Sequence, residues 1–281
     1  MKIKNLKHYF KKAEKEKWAI GQFNFSTLEQ LKGILKAAQK LKSPLILGTS
    51  EKESRFFGLE EAVNLVKIYQ KKLKLPVFLN LDHGKSLSYT KEAIKAGYDS
   101  VHFDGSELPI RENIKISREI REYARKKNVF FEGELEKIAR VGEKGILTDP
   151  CLALKFVKET GIDGLAISIG NVHGIEFSGL NPDLNLEKLK EIREKLKNKV
   201  FLVLHGGSGT KKEDLKKAIN LGIVKININT ELRMAYKQTL KKSILENRKE
   251  LRPYQYLLPV IQAIEKAAKE KILLFGSSRR K

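Results

Sequence analysis

The chain has 281 residues, 41% of them hydrophobic and 8% aromatic, with 56 Lys+Arg against 34 Asp+Glu for a formal net charge of +22. That apolar fraction is ordinary for a globular protein and excludes extended disorder, and the length fits one α/β barrel. The charge favours anionic partners by long-range attraction. The Lys-rich stretches at 2–17 and 237–252, however, interleave lysine with glutamate and apolar residues at helical spacing, as solvated helix faces do and nucleic-acid grooves do not.

No apolar run reaches the ~20 residues of a membrane-spanning helix, and the first residues lack the apolar stretch of a signal peptide. The expectation is a cytoplasmic protein with neither nucleic acid nor membrane as partner. Cys151, the single cysteine, cannot form an internal disulfide. It follows Asp149-Pro150, where a helix should begin, and is expected to be a buried structural thiol.

In chain order, an amphipathic N-terminal helix carrying His8 comes first. Short β-branched runs then alternate with Lys/Glu-rich segments of helical period, which predicts strands at 19–24, 44–49, 76–82, 99–103, 129–134, 164–169, 200–205 and 224–227. Two connections repeat: "AGYDSVHF" and "TGIDGLAISIG" each end a helix on glycine and enter a strand through aspartate, and "LGIVKININ" repeats the pattern with an apolar residue for the aspartate. One βα unit reused eight times closes a (β/α)8 TIM barrel over a single domain, 1–281; seven or fewer would leave an open doubly wound sheet. Irregular stretches at 133–148 and 170–185 follow strands 5 and 6, on the face where such barrels carry their chemistry.

Of the five histidines, His8 on its helix and His102 inside strand 4 have structural readings. The other three each end a strand and adjoin glycine: His83 in "NLDHG", His173 in "SIGNVHG" and His205 in "LVLHGG". Three imidazoles converging with an open fourth position form a catalytic Zn²⁺ site, and manganese, cobalt or iron would take the same ligands. Acids share this rim: Asp82, Asp104, Glu132 and Glu134, the last two on one face of strand 5. Inward carboxylates need a cation, a proton to handle, or a lysine such as Lys225, which has inward parity on strand 8. "HGGSG" and "NINT" close strands 7 and 8 with backbone suited to cradle a phosphate.

These segments, with "QFNFSTLEQLKGIL", "SPLILGTSE", "EGELE", "VKININTELR" and "FGSSRR", closely resemble the class II fructose-bisphosphate and tagatose-bisphosphate aldolases, nearly from end to end and in the same order. The resemblance implies reversible cleavage of a ketose 1,6-bisphosphate to dihydroxyacetone phosphate and an aldehyde, glyceraldehyde 3-phosphate for the glycolytic reaction on fructose 1,6-bisphosphate. It implies Zn²⁺ on His83, His173 and His205, with Asp82 as acid/base on the aldol hydroxyl. Asp104 and Glu134 match positions for a second divalent cation, and a monovalent cation (Na⁺ or K⁺) is expected near Gly174 and Gly206. Gly174, Gly206, Gly207, Ser208, Asn227, Ile228, Asn229 and Thr230 match the loops that hold dihydroxyacetone phosphate, and Ser50 matches a contact to the aldehyde half. A homodimer or homotetramer is implied as well.

The chain also departs from the pattern. After strand 5 the family carries a glycine-glycine loop with a glutamate for the carbon-bound proton; here "ELEKIARVGEKG" puts Glu136, Ala139 and Arg140 where glycines are usual, and Glu143 is the counterpart of that glutamate. "RPYQYLLP" replaces the usual "DPR". Two other chemistries compete: a Schiff-base aldolase using Lys225, and a metal-dependent sugar-phosphate epimerase or hydrolase.

Overall fold

A computed structural model of the chain describes residues 5–176, 179 and 181–280. Eight parallel strands close in sequence order into a barrel: β1 (Ile20–Asn24), β2 (Leu45–Ser50), β3 (Val77–Gly84), β4 (Ser100–Asp104), β5 (Phe130–Glu134), β6 (Gly164–Ala166), β7 (Phe201–Leu204) and β8 (Ile223–Ile228). The helices are α1 (Leu6–Glu16), α2 (Leu28–Leu41), α3 (Glu51–Phe57), α4 (Leu59–Leu73), α5 (Leu87–Ala96) and α6 (Ile110–Lys126). They continue as α7 (Pro150–Thr160), α8 (Leu186–Leu196), α9 (Lys212–Asn220), α10 (Thr230–Glu246), α11 (Pro253–Tyr256) and α12 (Leu258–Leu274). This is the (β/α)8 TIM barrel expected from the repeating unit, and the open-sheet alternative is excluded by the β1–β8 pairing, Gln22 opposite Asn227.

Burial of the strands on both faces explains the closure. One face of each strand packs outward on the helices in a continuous apolar layer, Leu47, Leu79, Val101, Phe131 and Leu165 among it. The helices approach closely where side chains are small: a Cβ on Gly33 of α2 would lie 2.6 Å from Ile264 of α12, so glycine lets these two helices pack in contact.

A separate apolar plug closes the N-terminal mouth. Asn5 caps α1 by accepting from the His8 backbone N–H, and Leu6, Tyr9, Phe10 and Ala13 form the buried face of that helix. Phe10 sits edge-on to Phe130, ring centroids 5.1 Å apart. Burying such a ring is worth about 2–3 kcal/mol, and Phe10→Ala would cost about 3–5 kcal/mol with the cavity it leaves. Among the described residues this apolar cluster fills the N-terminal mouth.

Three expectations need correction. Strand 6 stops at Ala166 instead of residue 169, because Ser168 N–H bonds to Thr148 Oγ1 and Ile169 N–H to Asn171 Oδ1 instead of continuing the ladder. Cys151 is exposed, not buried; it stands in the first turn of α7, and Ala153, Phe156 and Val157 supply that helix's buried face. The basic stretch 237–252 is helical only to Glu246. The irregular stretches lie after β5 and β6 as expected, residues 177, 178 and 180 of the second being outside the described residues.

Candidate active site at the C-terminal rim

The sheet register sets the site. Ser50 pairs with Asp82, His102 with Glu132 and Asp104 with Glu134, so polar side chains from β2 to β5 reach the rim at one level. β3 ends irregularly: the pairing with β4 slips between Leu81 and Gly84, and His83 adopts φ +50°. A left-handed conformation is costly for a residue other than glycine. Here it is held by the His83 backbone N–H, which donates to His102 Nδ1 at 3.1 Å. That bond leaves the proton of a neutral His102 on Nε2, which lies 3.3 Å from Glu134 Oε2. Through that bond His102 supports the His83 backbone, and its own ring also stands among the possible ligand atoms of the cluster.

His83 Nδ1–H donates to Asp104 Oδ2 at 2.9 Å, and His205 Nε2–H donates to Glu132 Oε1 at 2.7 Å. The remaining nitrogens, His83 Nε2 and His205 Nδ1, face each other at 3.0 Å. Two lone pairs at that separation repel unless a proton or a metal ion lies between them. The third ring, His173, stands 4.9 Å from His83 and 6.1 Å from His205, centroid to centroid. The tightest set of possible ligand atoms, all within 4.8 Å of one another, comprises Asp82, His83, His102 and His205, and a second comprises His83, Asp104 and Glu134. His173 lies outside both, at the edge of the cluster. His102 Nδ1 accepts from His83 N–H, while its Nε2, 3.3 Å from Glu134 Oε2, has no hydrogen-bond partner.

Electrostatics agree with a cation site. Burial, with the neighbouring His102 and His83 charges, holds His205 well below the ordinary imidazole range, and burial with His83 lowers His173 to about 4. Neutral imidazoles are the form that binds metal. Burial also lowers His83, but the charges of Asp82, Asp104 and Glu134 outweigh it and raise this ring to about 9. Burial and the Asp104 charge push Glu134 up to about 8, and its Oε2 is a buried atom without a hydrogen-bond partner. An N/O donor set of this kind, with an orphaned carboxylate oxygen beside it, fits zinc.

Asp82 is gripped from both sides: Asn24 Nδ2 donates to Oδ2 and Asn227 Nδ2 to Oδ1, each at 2.9 Å. Burial pushes its pKa up, yet the charges at His83, His205 and Lys225 prevail and keep it well below the usual carboxylate range. Lys225 itself is 1% exposed, with Nζ 2.7 Å from Glu132 Oε2. It belongs to a buried Lys225–Glu132–His205 chain and does not line the pocket above.

That pocket has a volume of about 790 Å³ and is walled by Ser50, Asp82, His83, Asp104, Glu134, His173, Gly174, Gly206, Ser208, Asn227, Asn229 and Thr230 among the expected residues. Gly206 has to be glycine, since it takes φ +66° and a Cβ would lie 2.2 Å from Val172 O. The buried Asn227 Oδ1 and Asn229 Oδ1 have no hydrogen-bond partners and stand ready to accept from a ligand. Ser50 also caps α3, its hydroxyl accepting from Glu53 N–H.

Four expected residues are not on the wall, His205 among them, its side chain wholly buried. Gly207 and Ile228 lie behind it, the Ile228 side chain wholly buried in the apolar layer. Glu143 is turned back on its own loop: its carboxylate accepts from Arg140 N–H at 3.0 Å and lies 3.4 Å from Lys137 Nζ. Sequence reasoning missed Asn24, Glu53, Lys85 and Arg233. Glu53 joins three of these elements, accepting from Asn24, Asn229 and Arg233. The acid at the third position after Ser50, the capping-box spacing, was the signal that could have singled it out.

Fold and rim together define a (β/α)8 enzyme barrel with a metal-competent histidine cluster at the floor of a pocket lined by both basic and acidic side chains. The model of the family "Fructose-bisphosphate aldolase class-II" matches residues 4–280. The chain is 36% identical to a 6-phospho-5-dehydro-2-deoxy-D-gluconate aldolase of Bacillus velezensis, over 99% of this chain and 97% of that protein. It is 37% identical to a fructose-bisphosphate aldolase of Geobacillus stearothermophilus, over 99% and 98%. Among solved structures, the YdjI aldolase from Escherichia coli K12 superposes with a TM-score of 0.84 at 32% identity, covering 99% of this chain and 98% of that one. The chain belongs to the class-II fructose-bisphosphate aldolase family.

Proposed function

We propose that residues 1–281 form one aldolase domain that cleaves a ketose 1,6-bisphosphate, fructose 1,6-bisphosphate first among them, into dihydroxyacetone phosphate and glyceraldehyde 3-phosphate. The observation that carries this reading is the 3.0 Å approach of His83 Nε2 to His205 Nδ1, each ring held from behind by a carboxylate. His83, His173 and His205 would hold Zn²⁺, which when bound polarises the substrate ketone as a Lewis acid. Asp104 and Glu134 offer oxygens for a second divalent ion, and the carbonyls near Gly174 and Gly206 suit a monovalent one.

Asp82 is kept ionised and oriented by its two amide donors, so in cleavage it takes the proton of the aldol hydroxyl and in synthesis returns it. The cradle of Gly174, Gly206, Gly207, Ser208, Asn227, Ile228, Asn229 and Thr230 takes the phosphate of the dihydroxyacetone half, Gly207 and Ile228 through backbone, while Ser50 faces the aldehyde half. Glu143, the expected base for the carbon-bound proton, has its carboxylate on Arg140 N–H and off the pocket wall. Exposed Met234, Ile244, Leu245, Leu251 and Tyr254 on and after α10 support a homodimer or homotetramer. Among the described residues no helix is long and apolar enough to cross a membrane, and the reading places the enzyme in cytoplasmic glycolysis.

A second substrate is favoured by the relative from Bacillus velezensis, named for 6-phospho-5-dehydro-2-deoxy-D-gluconate, whose identity to this chain is 36% against 37% for the Geobacillus aldolase. The deciding experiment measures triose-phosphate release from fructose bisphosphate, tagatose bisphosphate and that keto acid phosphate, with and without chelator. Loss of cleavage on chelation and its return with Zn²⁺ support the metal reading. Activity that survives chelation, or borohydride trapping of substrate on Lys225, would refute it.

A further inference from the structure

Six cationic side chains line the pocket: Lys52, Arg55, Lys85, Lys137, Arg140 and Arg233. Four face carboxylates, Arg55 with Glu51 at 2.8 Å, Lys85 with Asp104 at 2.7 Å, Lys137 with Glu143 at 3.4 Å and Arg233 with Glu53 at 2.6 Å. Among the described residues no carboxylate oxygen lies within 4.0 Å of a side-chain nitrogen of Lys52 or Arg140, although the Arg140 backbone N–H and charge help to lower the nearby Glu143 carboxyl. Lys52 is an exposed residue of the first turn of α3. Arg140 is held in place by backbone.

His173 N–H donates to Ala139 O at 2.8 Å and Val141 N–H to His173 O at 3.1 Å, an isolated parallel bridge in which Arg140 is the partner of His173. Paired residues of a parallel bridge send their side chains to the same face. Arg140 therefore emerges on the side of His173, toward the pocket that both line. A turn behind it fixes the direction, with Glu143 N–H donating to Arg140 O at 2.9 Å and Arg140 N–H to the Glu143 carboxylate at 3.0 Å. Its neighbour Val141 packs on Gly174, where a Cβ would come within 3.0 Å of Val141 Cγ2. The backbone that carries Arg140 is thus rooted beside Gly174, the first glycine of the proposed cradle.

We propose that Arg140 is a phosphate-binding residue of this chain, placed by the loop after β5 so that its guanidinium closes over the phosphate of the dihydroxyacetone half. The assignment rests on the aldolase reading for the identity of the phosphate. A guanidinium presents parallel N–H donors matched to phosphate oxygens, and such charge-assisted bonds are stronger than neutral ones.

The test compares the zinc-loaded wild type with Arg140→Ala and Arg140→Lys in the condensation direction, and measures inorganic phosphate as a competitive inhibitor. Arg140→Ala should raise the KM for dihydroxyacetone phosphate and the inhibition constant of phosphate by about 10-fold or more, the usual worth of one charge-assisted contact. The KM for the aldehyde should stay within about twofold, with Arg140→Lys recovering part of the loss. Unchanged phosphate inhibition, or an Arg140→Lys variant no better than Arg140→Ala, would overturn the anchor while leaving the aldolase reading intact. Should the wild type form no carbon–carbon bond, calorimetric titration of inorganic phosphate into wild type and Arg140→Ala still decides: equal affinities refute the anchor, and a loss of about 10-fold supports it.

Discussion

His83 and His205 are arranged as mirror halves of one device: their inner nitrogens stand 3.0 Å apart, and their outer nitrogens rest on Asp104 and Glu132. The outer carboxylates fix each ring's tautomer and orientation, which is how histidine ligands are prepared for a metal. Glu132 is in turn neutralised by Lys225, at 2.7 Å and wholly buried. A chain of charge therefore runs from the middle of the barrel to its rim.

Breaking that chain should separate affinity from stability. Glu132→Gln is expected to weaken Zn²⁺ or Co²⁺ binding about 10- to 100-fold, read by competition with a chromogenic chelator. Lys225→Met strands the Glu132 charge and should cost about 3–5 kcal/mol in urea unfolding, part of which the double variant Glu132→Gln/Lys225→Met returns. Additive losses in the double variant would mean that the two side chains do not act as a pair.

Asp82→Ala is expected to lower turnover about 10²- to 10⁴-fold, the worth of a positioned acid/base, with zinc content unchanged by elemental analysis. Asp82→Asn should do the same, because the amide retains the shape but cannot carry the proton. Turnover within a few-fold of wild type would remove Asp82 from the chemistry.

Metal uptake should depend on pH with a definite sign. The Asp82 and Asp104 charges overcome burial to raise His83 to about 9, so this ring carries a proton at neutral pH that an incoming ion displaces. His173, lowered to about 4, carries none. Affinity should therefore rise about tenfold per pH unit up to about pH 9, checked with a fluorescent zinc indicator. A flat profile between pH 6 and 9, to order of magnitude, would contradict the assignment.

The same shifts fix the pH response of the metal-free fold. The raised value of His83 adds stability that is full below its unfolded value of 6.5 and is lost as pH rises through about 9. The lowered value of His173 acts oppositely, adding stability present above 6.5 and lost as pH falls through about 4. Thermal unfolding of the chelated protein across this range, with His83→Ala and His173→Ala compared to wild type, separates the two.

Gly206→Ala should destabilise the protein by about 2 kcal/mol or more and raise the KM for dihydroxyacetone phosphate. The methyl group would meet Val172 O at 2.2 Å, at a φ of +66° that alanine disfavours. A variant as stable as wild type in thermal unfolding would show that this loop shifts without cost.

Sequence alone determined the barrel and the rim, because both follow from local chemistry repeated along the chain. Eight apolar runs separated by amphipathic segments can bury their surfaces only by closing a parallel sheet inside a ring of helices, and a residue at the end of such a run is carried to the C-terminal rim. His83, His173, His205, Asp82 and the glycine turns were legible in this way. Tertiary structure decided what each polar group faces, since that depends on register between strands distant in sequence. Only the β4–β5 register, pairing His102 with Glu132 and Asp104 with Glu134, and the crossing of the barrel from β8 distributed the carboxylates. They put Glu132 under His205, Asp104 behind His83 and Lys225 out of the pocket. The loop after β5 lacks periodicity, so its sequence did not reveal that Glu143 folds back on the backbone while Arg140, fastened to His173, faces the pocket.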